Sequence, residues 1–306
     1  MAVKVIYIGG AGRSGSTLLD RVVGQISGYV SAGEVRTVWL AGLGENRLCG
    51  CGQPFAACEF WQRVGDEAFG GWGKADPDQI EAWLASMTYL DALRQLLSGR
   101  PSAPAGVDPS ARLLERLYEG ISAAANGATI IDSSKSPRYA LTLSSLPAID
   151  LRAIHLVRDS RGVAYSWSKE IARPDTPGRV VQMPRFNAPG ASSRWIVQNA
   201  FMELLGRRVP VTRLRYETFM EDPPGELRRV LEEIGESVPP DALAFVGQDA
   251  VRLGPNHTVM GNPMRMATGD LPLVTDAAWR HGLPRLQRAQ VTGMTLPMLI
   301  RYGYRP

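Results

Sequence analysis

"VKVIYIGGAGRSGSTLLDRVV", Val3 to Val23, joins a β-branched apolar run, a glycine-rich turn and an amphipathic stretch without a break. Val3 to Gly9 reads as a buried strand, and Leu18, Leu19, Val22, Val23 and Ile26 fall on one face of a helix. A turn of this kind between strand and helix points backbone N–H groups at one place, where the helix dipole adds partial positive charge, so an anion is expected there. The phosphate-loop pattern G-x-x-x-x-G-K-[ST] is met at Gly10, Gly15 and Thr17, but Ser16 stands in the lysine position. A nucleoside triphosphatase needs that lysine on the β- and γ-phosphates. Positive charge appears instead at Arg13. A plain glycine turn that packs helix on strand is the other reading of the motif taken alone.

Three more β-rich segments follow: "ATIID" from Ala128, "LRAIHLV" from Leu151 and "VPVTRLRY" from Val209. Strands that alternate with helical stretches imply a parallel sheet covered on both faces. The expected fold is α/β, a P-loop-like three-layer arrangement with a central parallel sheet flanked by helices. The helical patterns "PDQIEAWLASMTYLDALRQLLS" and "DPSARLLERLYEGISAAA" fill the gap before "ATIID" and read as a helical insertion, about 59–127, after the first βα unit. Residues 171–192 carry four prolines and no periodicity, which suggests a lid-like loop. Leu253 to Val274 is similarly irregular. The 306 residues are read as one domain, 1–306.

Charge is nearly balanced, 34 Lys plus Arg against 30 Asp plus Glu, so the net of +4 is no nucleic-acid footprint and suits a small anionic ligand better. Lys4, Lys74, Lys135 and Lys169 are the only lysines, which makes any motif lysine conspicuous. No secretory signal and no apolar run long enough to span a membrane is visible, and a soluble, cytoplasmic chain is expected.

The second anchor is "LVRDSRGVAYSW", where Arg158 closes a strand and Ser166 follows eight residues later on a helix. Strand ends of an open parallel sheet are where ligands bind, and an arginine forks onto phosphate. With this pair of motifs the chain resembles the PAPS-dependent sulfotransferases, which use 3′-phosphoadenosine 5′-phosphosulfate and release the bisphosphate PAP. Their 5′-phosphosulfate loop has the form [KR]-[ST]-G-[ST]-[ST], which "RSGST" matches. The resemblance implies that Gly12, Arg13, Ser14, Gly15, Ser16 and Thr17 hold the 5′ end and that Arg158 with Ser166 holds the 3′-phosphate. It also implies a role for Tyr216 in "RLRYETFMEDP", and for Gly261, Asn262 and Arg265 in a late loop, "HTVMGNPMR", that closes over the nucleotide. Trp195 and Asn199 match a Trp and an Asn found near the nucleotide in the carbohydrate-type branch.

Sulfuryl transfer to a hydroxyl requires in-line geometry, cations on the equatorial oxygens and a base. None of His155, His257 and His281 stands where the steroid and phenol branch has its histidine. The heparan-type and tyrosylprotein-type branches use a carboxylate shortly after the first helix, and "VSAGEVRTVW" occupies that place. Glu34 is therefore the candidate base, with a surface pair to Arg36 as the bland alternative. Lys135, in "IIDSSKSPRY", matches a sulfate-contacting lysine and joins Arg13 as a candidate for stabilising the leaving oxygen. No metal is required by this chemistry.

"CGCGQPFAACEFW" spaces Cys49, Cys51 and Cys58 as C-x-C-x6-C with no histidine nearby, so a tetrahedral site lacks its fourth ligand unless another residue or chain supplies it, and no metal residues are assigned. The expected partner is a small-molecule hydroxyl acceptor, with Trp72, Trp83 and the 171–192 loop proposed to line its pocket. Two rivals remain at this stage. A degenerate P-loop kinase or NTPase would use Asp132 for magnesium, and a non-catalytic nucleotide-binding protein would have no use for Glu34 and Lys135.

Overall fold

The computed structural model describes residues 2–98, 108–176, 178 and 181–306. Nine strands occur among them: β1 (Val3–Gly9), β2 (Tyr29–Gly33), β3 (Thr129–Lys135), β4 (Ile149–Val157), β5 (Ala172–Arg173), β6 (Val181–Gln182), β7 (Val211–Arg215), β8 (Ala250–Leu253) and β9 (Gly269–Pro272). The main sheet has the order β2-β3-β1-β4-β7, and every pairing in it is parallel. All its strands therefore end on the same side, with β1 at the centre.

Strand β2 is an element the sequence pattern does not announce, because "YVSAG" is short and mixes serine and glycine into the apolar residues. Helix α1 (Ser16–Val23) leads into it. The helical insertion consequently lies between β2 and β3 and not directly after the first βα unit. It contains α2 (Glu59–Phe69), α3 (Pro77–Ser86), α4 (Tyr89–Ser98) and α5 (Pro109–Ala124), with residues 99–107 outside the described set. Asp76 and Asp108 cap α3 and α5 by accepting from backbone N–H groups, and each is followed by a proline at the first helical position.

The remaining helices are α6 (Pro137–Leu143), α7 (Ser160–Ser168), α8 (Ala188–Leu205), α9 (Tyr216–Glu221), α10 (Pro223–Glu233), α11 (Trp279–Gly282) and α12 (Arg285–Arg301). Alternation along β1 divides the core. Val5 and Tyr7 join a cluster with Trp61, Leu117 and Tyr118 of the insertion, while Ile6 and Ile8 join Leu19, Val22, Leu227 and Val230 of α1 and α10. This is the expected three-layer α/β arrangement.

Two stretches read as loops are partly ordered. Within 171–192, β5 pairs antiparallel with β6 and α8 begins at Ala188, while residues 177, 179 and 180 lie outside the described set. β8 and β9 pair antiparallel at the two ends of the late segment. No helix among the described residues is long and apolar enough to cross a membrane.

Candidate functional site

A cleft of about 700 Å³ opens over the ends of β1, β3 and β4, a size typical of small-molecule sites. Among the described residues Arg13, Arg36, Lys135, Arg138, Arg158, Lys169, Arg173 and Arg194 line it, against only Glu34 and Asp276. Such a surface suits a polyanion.

Its floor is the turn between β1 and α1. Gly15 has φ 93°, and a Cβ there would lie 2.9 Å from the Tyr216 ring, so the ring packs where only glycine leaves room. Arg13 adopts φ 71°, and its guanidinium stacks on Trp167 with 4.8 Å to the ring centroid. All three guanidinium nitrogens of Arg13 are out of solvent and without a hydrogen-bond partner among the described residues, as is the Ser14 hydroxyl. Burial, and secondarily Arg173, push the Arg13 pKa down. Gln198, on α8, receives the Gly12 N–H at 3.3 Å. Among the described residues five non-glycine positions have positive φ, and three of them, Arg13, Lys135 and Met260, line this cleft. Strain of this kind collects at ligand sites.

Arg158 closes β4 beside the turn. Its guanidinium donates to the Arg13 carbonyl at 3.0 Å and the Asp276 carbonyl at 2.9 Å, pairs with the Asp276 carboxylate at 3.1 Å, and lies over the Tyr216 ring at 4.6 Å. Burial opposes ionisation of Asp276, but Arg158 outweighs it and holds that carboxyl below its usual range. Ser166, on α7, lines the same end of the cleft. Trp195 donates its indole N–H to the Arg158 carbonyl at 2.9 Å and also lines the cleft.

Glu34 follows β2 and Lys135 ends β3, and adjacent parallel strands bring them together: Lys135 Nζ lies 2.6 Å from Glu34 Oε1. Lys135, not Arg36, is thus the partner of Glu34, while the Arg36 N–H donates to Ser134 Oγ. Asp132 is fully buried behind them, accepts from Tyr118 and Ser134, and does not line the cleft. Its carboxyl is pushed up to about 6, chiefly by burial. It is placed to support β3, not to hold magnesium.

The late segment meets the turn from the opposite side. The Asn262 N–H donates to Thr17 Oγ1 at 3.1 Å, and Gly261, Asn262 and Met264 line the cleft. Arg21 of α1, which sequence reasoning passed over, pins this segment by donating to the carbonyls of Gly254, Met264 and Ala267. Arg265 does not join the cleft. It is 1% exposed, donates to the Thr258 and Leu48 carbonyls and pairs with Asp175 at 3.2 Å, so it ties the segment down from behind. Asn199 is likewise structural: fully buried, it bonds His155 at 2.9 Å and the Trp195 carbonyl. Burial pushes the His155 pKa down to about 4, and neither His257 nor His281 lines the cleft.

The acceptor-pocket expectation divides. Trp72 packs against Trp39, Phe55 and Phe69 in the insertion core, and neither it nor Trp83 reaches the cleft. Ile171, Arg173, Met183 and Phe186 from the 171–192 stretch do line it, joined by Tyr89 and Arg138. Arg36 and Trp167 lie inside quoted motifs but received no role at the site, while Arg173 and Gln198 carry no motif of their own.

Residues 5–240 match the Sulfotransferase family, and the chain belongs to it; it is an enzyme of sulfuryl transfer. The resemblance read from "RSGST" and the Arg158–Ser166 pair is borne out at the level of the family, and the kinase reading falls away. Among solved structures the chain is similar to the sulfotransferase domain from the curacin biosynthetic pathway, 15% identical over 100% of this chain and 99% of that one with a TM-score of 0.51, a likeness of fold. It is also similar to the sulfotransferase domain of the Synechococcus PCC 7002 olefin synthase (20% identity, 97% and 96% covered, TM-score 0.48). A third similar structure is retinol dehydratase in complex with androsterone and the inactive cofactor PAP (14% identity, 100% and 83% covered, TM-score 0.42). No curated protein matches the chain.

Proposed function

We propose that this cleft transfers a sulfuryl group from PAPS to the hydroxyl of a small-molecule, sugar or lipid acceptor, with Glu34 as the base, and releases PAP. The observation that carries the reading is Arg13, whose three buried guanidinium nitrogens find no hydrogen-bond acceptor among the described residues. An unpaired buried cation is costly, and an anion seated on the turn relieves that cost.

In this reading the backbone amides of residues 12–17 and the Ser14, Ser16 and Thr17 hydroxyls hold the 5′-phosphate. Arg158 with Ser166 takes the 3′-phosphate, Tyr216 packs beneath that arginine, and Gly261 with Asn262 closes the far wall. The acceptor oxygen forms the new bond to sulfur as the sulfur–oxygen bond to the bisphosphate breaks. The acceptor proton passes to Glu34. Lys135 and Arg13 offset the charge that builds on the leaving oxygen, a task for which preorganised cations suffice without a metal. The carboxylate base agrees with the carbohydrate-type and tyrosylprotein-type branches.

Calorimetric titration is the test. PAP binds without metal and ATP with magnesium binds weakly; the reverse result refutes the donor assignment. With an acceptor drawn from a PAPS-consumption screen, Glu34→Gln lowers turnover about 10²- to 10⁴-fold and leaves PAP affinity unchanged. Unchanged turnover would place the base elsewhere.

A further inference from the structure

The three cysteines do not lack a fourth donor. Folding brings His257, some two hundred residues along the chain, onto them: its Nδ1 lies 3.3 Å from Cys58 Sγ and 3.8 Å from Cys49 Sγ. Cys58 Sγ lies 3.6 Å from Cys49 Sγ and 3.7 Å from Cys51 Sγ, and all four ligand atoms fall within 4.8 Å of one another. A disulfide needs sulfurs about 2.05 Å apart, and the three thiols are free. A tetrahedron with zinc–sulfur bonds of about 2.3 Å and a zinc–nitrogen bond of about 2.0 Å has edges of about 3.8 Å between sulfurs and about 3.5 Å from sulfur to nitrogen. Four of the six spacings, 3.3 to 3.8 Å, match those edges, and the other two lie within 4.8 Å. We propose that Cys49, Cys51, Cys58 and His257 bind one zinc ion at a closed structural site that fastens the late segment to the insertion.

The surroundings are built for it. Cys49 to Cys51 sit in a tight knuckle, with the Cys49 N–H on the Gln53 carbonyl, the Gly52 N–H on the Cys49 carbonyl and Gly52 at φ 86°. Cys58 occupies the N-cap of α2, where the helix dipole favours a thiolate. Phe60 stacks on the His257 ring at 4.8 Å, and Trp61 donates to the His257 carbonyl at 2.8 Å, which together fix the ring's orientation. Three soft thiolates and an imidazole favour zinc over oxygen-seeking cations. All four positions come from the protein, and none of these residues lines the cleft, so the ion is structural and takes no part in the transfer.

The consequence reaches the nucleotide end through the backbone. The Gly50 N–H bonds the Thr258 carbonyl, Val259 bridges to Gly33, and three residues on Asn262 meets Thr17. The inference stands on the cluster alone and is independent of the donor reading.

The full-length chain is purified without added metal or chelator and its metal content measured by mass spectrometry. About one zinc per chain is expected, as is slow reaction of its thiols with Ellman's reagent until a chelator frees all three. Replacement by cobalt gives the intense visible bands of a tetrahedral ion and ultraviolet thiolate-to-cobalt charge transfer. Cys58→Ser weakens zinc binding at least about 100-fold, while His257→Cys keeps it. Should Cys58→Ser fail to fold, the cobalt spectrum of the wild type still decides. Folded protein that holds no zinc, takes up no cobalt and exposes three freely reacting thiols overturns the proposal, and so does an isolated disulfide.

Discussion

Arg13 and Arg158 face the same cleft and are held in opposite ways. Among the described residues Arg13 has no hydrogen-bond partner for any guanidinium nitrogen, and it stacks on the Trp167 face. Arg158 is fully engaged, by two carbonyls, the Asp276 carboxylate and the Tyr216 ring. A cation of the first kind is preorganised for a ligand and weakens the unliganded fold. One of the second kind supports the fold, and under the proposed reading it exchanges the Asp276 carboxylate for a phosphate, which would couple ligand binding at its end to the 274–278 segment. Under the proposed reading, the contrast fits Arg13 to charge stabilisation during transfer and Arg158 to ground-state grip.

The largest effect should come from Arg13→Ala, which lowers turnover about 10²- to 10³-fold and raises the unfolding midpoint in urea, because a buried unpaired charge is removed. Loss of stability in that variant would break the comparison. Arg158→Ala weakens PAP binding about 10- to 100-fold by calorimetry and also lowers stability, since the Asp276 carboxylate and two carbonyls lose their donor. An intact midpoint would show that the network around Arg158 contributes little.

A third test uses a buried carboxyl. Asp20, behind the turn, receives a hydrogen bond from Ser31, with Ser133 a further hydrogen-bonding neighbour. Burial pushes its carboxyl up to about 7. The folded state therefore binds a proton that the unfolded state has released between about pH 4 and pH 7, and this group's contribution to stability is full below that window and lost as pH rises through it. Asp20→Asn removes the loss. Its stability relative to wild type improves by about 1.4 kcal/mol per pH unit across the window, measured by urea unfolding at pH 5 and pH 7; a constant difference would mean Asp20 is ionised throughout. The smallest effect is expected from Asp276→Asn, which loosens the hold on Arg158 and tightens PAP several-fold, about 3- to 10-fold, by removing a competing anion. Weaker binding would make Asp276 a positioning residue instead.

The parts of this architecture that were legible in the sequence are those in which chemistry is local. β1, its turn and α1 are one continuous stretch, and Arg158 with Ser166 sits on one strand-helix junction, so motif and fold coincide. What escaped depended on contacts across the chain. β2 carries too few β-branched residues to signal a strand. Arg265 looked like a basic loop residue because nothing in "NPMRM" records that Leu48 and Asp175 bury it. His257 could not be joined to the cysteines by spacing, since sequence separation says nothing of proximity once a sheet is wound. Trp72 read as an unassigned aromatic and turned out to be core, its usual fate.

The grip of the late segment on α1 has a kinetic meaning. Thr17 meets Asn262 and Arg21 meets Ala267 across 245 and 246 residues of chain. Such long-range closures are entropically expensive and slow folding when they must form early. Refolding should accordingly proceed in two stages, with sheet and helices gathered first and the donor pocket completed last, so that the return of ligand binding lags behind the return of helical signal.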